Sequence, residues 1–142
     1  MGTYVVVFVE AEVDKSTGYV QVKRAVCAQD MGMIVNPQGA RLQAEGCMLM
    51  GLGYALREEI RFEGRKMLTR NYDTYSFTQF NMVPELDVLL IETDEEVPHG
   101  GGEPAVVTMG GAVANAVFDA TGARIFRQPL TPERVKKAIQ AI

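Results

Sequence analysis

The chain has 142 residues, 47% of them hydrophobic, enough to build one core and too apolar for a disordered chain. Its formal net charge is −4, its basic residues are dispersed, and its one sizeable charge run, Glu92 to Glu96, is acidic, which disfavours nucleic acid and anionic membrane as partners. No apolar run approaches the roughly 20 residues that span a bilayer, and no basic segment followed by an apolar one opens the sequence; the expectation is a cytoplasmic chain, with export alongside partner subunits left open.

In chain order, Thr3–Asp14 and Tyr19–Asp30 are rich in β-branched residues and flank Lys15-Ser16-Thr17-Gly18, which predicts a hairpin with glycine at the turn. From Gln38 to Glu59, Leu42, Leu49 and Leu56 recur every seven residues, a helical spacing. Gly39, Gly46 and Gly53 share that interval. Each glycine costs a helix roughly 1 kcal/mol relative to alanine, so this stripe is expected to be buried against a close neighbour. Ile60–Thr69 reads as a short hairpin turning at Glu63–Lys66, Thr74–Phe80 as a weak strand, and Leu86–Thr93 as a strong apolar strand. Pro104 suits a first helical turn, and the small-residue segment after it runs to a glycine stop at Gly122. In the last segment Thr131 is placed as N-cap, Pro132 follows it, and Glu133 precedes lysines, the order that complements a helix dipole. The expected fold class is α+β: a β-hairpin within a mixed sheet, packed against two buried glycine-rich helices plus a short C-terminal helix, with residues 1–142 as a single domain.

Several chemistries lack their residues. His99 is the single histidine, and Cys27 and Cys47 are far apart in sequence and form no C-x-x-C, so no metal site built from side chains is expected, nor a disulfide framework. No G-x-S-x-G nucleophile elbow and no phosphate-binding G-x-x-x-x-G-K-[ST] is present. What remains is Gly100-Gly101-Gly102 delivering Glu103 onto Pro104. A helix N-terminus favours a negative charge, and a carboxylate held on a glycine loop is a candidate general base. The plainer alternative is a helix-start carboxylate beside a surface turn. For Gln43 it is a polar residue on the solvent side of its helix, for His99 an exposed loop residue, and for Glu45 a solvated or paired helix residue.

Three stretches, Val35–Ile60 with its Gln43-Ala44-Glu45-Gly46, Gly100–Val107 with its Gly102-Glu103-Pro104, and Ala114–Val135, together resemble the carboxy-terminal part of the large, molybdopterin-binding subunit of the molybdenum hydroxylases, the xanthine dehydrogenase and aldehyde oxidase family. The Val97-Pro98-His99-Gly100 approach is similar to the branch of isoquinoline oxidoreductase-like and bacterial aldehyde dehydrogenases. The resemblance implies that Glu103 is the catalytic base and that Gln43, with Gly101 and Gly102, lies at the cofactor. It implies molybdopterin in the complete enzyme and none in the isolated chain. It further implies hydroxylation of an aldehyde or N-heterocycle carbon with oxygen from water, and partners that include the remainder of the large subunit, iron–sulfur modules and often FAD. A non-catalytic interaction module that keeps this architecture is the alternative.

Overall fold

The computed structural model describes residues 2–142. Strands β1 (Tyr4–Asp14) and β2 (Tyr19–Asp30) form the expected antiparallel hairpin, in register from Tyr4 opposite Asp30 to Asp14 opposite Tyr19. Gly18 closes its turn at φ +80°, a left-handed value that glycine adopts without steric cost. A side chain there would also run into α3, since a Cβ would lie 2.7 Å from the backbone nitrogen of Lys136. The Asp14 carboxylate accepts from the Ser16 amide and hydroxyl, at 2.8 and 2.7 Å, and these bonds bring its pKa down to about 2.

The hairpin carries one irregularity. Glu10 pairs with Arg24 and Ala11 with Val22, so Lys23 is an extra residue on β2. Such a bulge inverts the inside–outside alternation beyond it. Val20 and Val22 face the core before Lys23; Ala25, Cys27 and Gln29 face it afterwards.

Beyond β2, α1 (Pro37–Leu56) starts on Asn36, whose side chain accepts from the Gly39 amide at 3.0 Å. It stops before the expected Glu59 because the amides of Arg57 and Glu58 both fold back onto the Gly53 carbonyl, at 2.9 Å each. A two-residue ladder, β3 (Phe62–Glu63) with β4 (Lys66–Met67), confirms the short hairpin. Thr74–Phe80, expected as a weak strand, is irregular. The Thr74 hydroxyl accepts from the Arg70 and Asn71 amides and donates to the Asn71 carbonyl, closing a local turn, and only a 3₁₀ turn at Phe80–Met82 follows. Strand β5 (Glu85–Leu90) then joins the far side of β2 in parallel, giving the order β1-β2-β5. Helix α2 (Pro104–Thr121) ends on Gly122 at φ +78°, and α3 (Pro132–Ile139) starts on Thr131, both as expected.

Both long helices cover one face of the sheet, α2 against β1 and α1 against β5. Val7, Ala25, Cys27 and Val88 of the sheet meet Met48, Leu52, Met109 and Val113 of the helices in the main core. Burying side chains of this size contributes roughly 1.5–3 kcal/mol each. Val135 of α3 joins Val20, Val117 and Leu130 in a second cluster. The opposite face of the sheet is uncovered, with Tyr4, Val6, Phe8 and Leu89 exposed.

The expected glycine stripe on α1 needs correction. Gly53 is buried, but Gly46 is exposed, and a Cβ on it would meet nothing within 4 Å. The close approach occurs at Gly51, where a Cβ would lie 2.5 Å from Met109 Cβ and 3.0 Å from the Val106 carbonyl oxygen. Position, rather than repeat interval, decides which glycine the packing requires.

One ion pair ties α3 to the segment that follows α1: Arg134 Nη2 lies 2.6 Å from Glu59 Oε1. That hydrogen bond from Arg134, aided by Arg127, holds the Glu59 carboxyl below its ordinary pKa of 4.5 against the opposing effect of desolvation. A depressed carboxyl pKa contributes stability above the unfolded-state value and loses it as pH falls through the folded-state value. Glu59→Gln is therefore expected to lower the thermal midpoint at about pH 7 and to have little effect at about pH 3, the pair being worth less than about 1 kcal/mol because it is part-exposed. Equal destabilisation at both pH values would assign the loss to packing instead.

Candidate active site

The segment leading to Glu103 is fastened along its length. Its first part pairs with the chain just after β2: Met33 N donates to Val97 O at 3.3 Å, His99 N donates to Met31 O at 2.8 Å, and Gly32 forms a bridge with Pro98. Gly32 sits at φ +68°, and a Cβ there would collide with the Val97 carbonyl. His99, expected in an exposed loop, is half-buried with Nε2 3.0 Å from Glu95 Oε1.

The three glycine carbonyls that follow are each held by a different element. Thr3 Oγ1, just before β1, donates to Gly100 O at 2.6 Å. Gln29 Nε2, on β2, lies 3.5 Å from Gly101 O. From α1, Gln43 Nε2 donates to Gly102 O at 2.6 Å, and the Cys47 thiol donates to the same oxygen at 3.0 Å. Gln43 and Cys47 are four residues apart, so they occupy the same face of α1 and converge on one acceptor.

Glu103 stands next, as the N-cap residue of α2, with φ −125° and ψ −10°. Its side chain is exposed and makes no capping hydrogen bond, and among the described residues it enters no ion pair. Arg124, beyond the other end of α2, donates to Asn115 Oδ1 at 2.9 Å and lies over the Phe118 ring at 3.5 Å. A carboxylate with no partner of its own, displayed on a backbone held at three successive carbonyls, can accept a proton from a group brought to it.

The structure thus brings together Gln43, Gly101, Gly102 and Glu103, the residues singled out in sequence. Gly102 has open space where a Cβ would project, whereas a Cβ on Gly101 would turn inward onto the end of the Met31 side chain. Sequence reasoning missed Thr3, Gln29 and Cys47. Cys47 carried a signal in its spacing of four from Gln43; Gln29 carried none, because the bulge at Lys23 alone turns it inward.

A mixed sheet under two helices in this arrangement is a fold with solved examples. The aldehyde oxidoreductase of Desulfovibrio gigas superposes on 97% of this chain with a TM-score of 0.88 and 28% identity, this chain matching 15% of that one. The pattern of the molybdopterin cofactor-binding domain matches residues 1–84. The chain belongs to this family, the molybdopterin cofactor-binding domains of the molybdenum hydroxylases.

Among curated proteins, one of the subunits of the nicotinate dehydrogenase of Pseudomonas putida is 38% identical over 92% of this chain. The molybdenum-binding subunit of the Escherichia coli aldehyde oxidoreductase is 36% identical over 90%. The chain spans 11% and 18% of the lengths of these two relatives. No helix among the described residues is long and apolar enough to cross a membrane.

Proposed function

We propose that this chain is the base-bearing, C-terminal piece of a molybdenum-dependent hydroxylase that acts on an aldehyde or an N-heterocycle, with Glu103 as general base. The observation that carries the reading is the unpartnered Glu103 carboxylate on its fastened glycine loop. Substrate class follows the relatives, one belonging to a nicotinate dehydrogenase and the other to an aldehyde oxidoreductase.

The residues present fit a bound molybdopterin. A Cβ on Gly100 or Gly102 would meet nothing within 4 Å, so the outer side of the loop is bare backbone open to a flat heterocycle. The amides of Gly100, Gly101, Gly102 and Glu103 donate to no backbone carbonyl among the described residues, which leaves them free for a polar ligand. With its Nε2 engaged on Gly102, Gln43 would have Oε1 left to accept from a cofactor donor. When bound, the molybdenum cofactor supplies oxygen transfer and two-electron redox chemistry. The chain's share is placement of the base: Glu103 takes a proton as the new carbon–oxygen bond forms, a contribution typically worth about 10²–10⁴-fold.

The rest of the large subunit completes the site in this reading, with iron–sulfur and FAD modules carrying electrons away. The bare sheet face of Tyr4, Val6, Phe8 and Leu89 supports assembly, because exposed apolar surface of that kind marks an interaction site. Metal analysis is the test. The isolated chain is expected to retain no molybdenum through gel filtration, and the chain co-purified with the remainder of the large subunit to carry it stoichiometrically. Stoichiometric molybdenum on the isolated chain would overturn the assembly reading.

A further inference from the structure

We propose that Gln29 is a positioning residue, a buried amide beneath Gly101 that sets the glycine loop and thereby the base; this rests on the reading of Glu103 given above. Gln29 is 1% exposed. Its Nε2 has two candidate acceptors, Gly101 O at 3.5 Å and Met31 Sδ at 3.7 Å, and its Oε1 is buried without any partner among the described residues. Burying an incompletely satisfied amide costs stability, and an unbranched apolar side chain of similar length would fill the same space without that cost. Packing therefore does not call for glutamine. The feature an apolar residue lacks is a donor aimed at the loop.

The donor sits where it has the most leverage. Gly100 O and Gly102 O are held by Thr3 and by Gln43 with Cys47, whereas Gly101 O, between them, has Gln29 as its one hydrogen-bond donor among the described residues. Glu103 follows two residues later, at the first turn of a helix whose direction is already set by packing of Ala105 and Met109 in the core. A shift of the Gly101 peptide must be absorbed between the loop and that helix, which is where the carboxylate is attached. Displacements well under 1 Å matter to general-base catalysis, because a misplacement of about 1 Å can cost on the order of a hundredfold.

Gln29→Met removes both the donor and the unpaired acceptor while keeping the side chain's length. In the full chain, hydrogen exchange followed by mass spectrometry is expected to show the hydrogen-bonded amides that flank the loop, those of His99 and Val106, exchanging faster by about threefold or more, with the thermal midpoint unchanged or raised. Unchanged loop exchange would overturn the proposal, as would a lowered midpoint with faster exchange throughout the core, which would make Gln29 a packing residue. Gln29→Leu, of similar size and likewise without a donor for Gly101 O, gives the same reading should the methionine variant not fold.

In the assembled enzyme, Gln29→Met is expected to lower kcat by about tenfold with KM and molybdenum content retained, and to cause no further loss when added to Glu103→Gln. An equal loss in both backgrounds would overturn positioning through Glu103 while leaving the base reading intact. Near-normal turnover of Glu103→Gln alone would instead overturn the base reading, and loop exchange would still decide whether Gln29 holds Gly101.

Discussion

Glu103→Gln, introduced into the assembled enzyme, is expected to leave molybdenum bound and to lower turnover by at least about a hundredfold. Glutamine keeps the size of the side chain and one carbonyl oxygen, and removes its capacity to take a proton. Because Glu103 is exposed and makes no capping bond, the substitution leaves the core intact, and the lost charge at the start of α2 should cost no more than about 1 kcal/mol. That independence gives the experiment its power. Molybdenum lost together with activity would assign the carboxylate to cofactor retention. Near-normal turnover with full metal content would remove the base from the mechanism. A fall in turnover alone, with KM little altered, is the signature of an interaction made in the transition state.

How legible this site was depended on whether its parts are local or brought together by the fold. The loop and its acid are contiguous, so three glycines, Glu103 and Pro104 announced themselves. The hairpin, both long helices, the end of α2 and the start of α3 were also local features: β-branched runs around Gly18, the glycine stop at Gly122, the Thr131 cap. The parallel addition of β5 beside β2 was not, since it is made across a connection of some fifty residues, α1 and the irregular segments after it, whose local pattern does not say which strand β5 joins. Thr74–Phe80 had strand-like composition but no strand edge beside it, and hydroxyl-to-backbone bonds won locally. Gln29 is the instructive case. Counting inward positions from Val20 and Val22 places it on the outer face, and the extra residue at Lys23 places it inside. One bulge separates a surface glutamine from a group beneath the proposed base.

The second large effect concerns α1, where two glycines five residues apart should respond in opposite directions. Gly51 faces α2, and a Cβ there would sit 2.5 Å from Met109 Cβ, 2.8 Å from Met109 Cγ and 3.0 Å from the Val106 carbonyl oxygen. None of these atoms is the free end of a flexible side chain, so relief requires the helices to separate. Gly51→Ala is expected to destabilise by about 1–3 kcal/mol through overpacking, and Gly51→Leu by more, to the point of abolishing cooperative unfolding. Gly46 lies on the exposed side, where a methyl group meets nothing within 4 Å. Gly46→Ala should therefore stabilise the chain by roughly 0.5–1 kcal/mol, the helix-propensity difference with no steric charge against it. Urea unfolding followed by circular dichroism measures both, with Gly46→Ala moving the midpoint up and Gly51→Ala moving it down. A neutral Gly51→Ala would mean that α1 and α2 are not held at this distance. The same contact brings α1, the helix that carries Gln43 and Cys47, against α2, the helix that begins at Glu103. Widening it should loosen the grip of those two side chains on Gly102 as well, so that Gly51→Ala speeds exchange in the loop while Gly46→Ala leaves it unchanged.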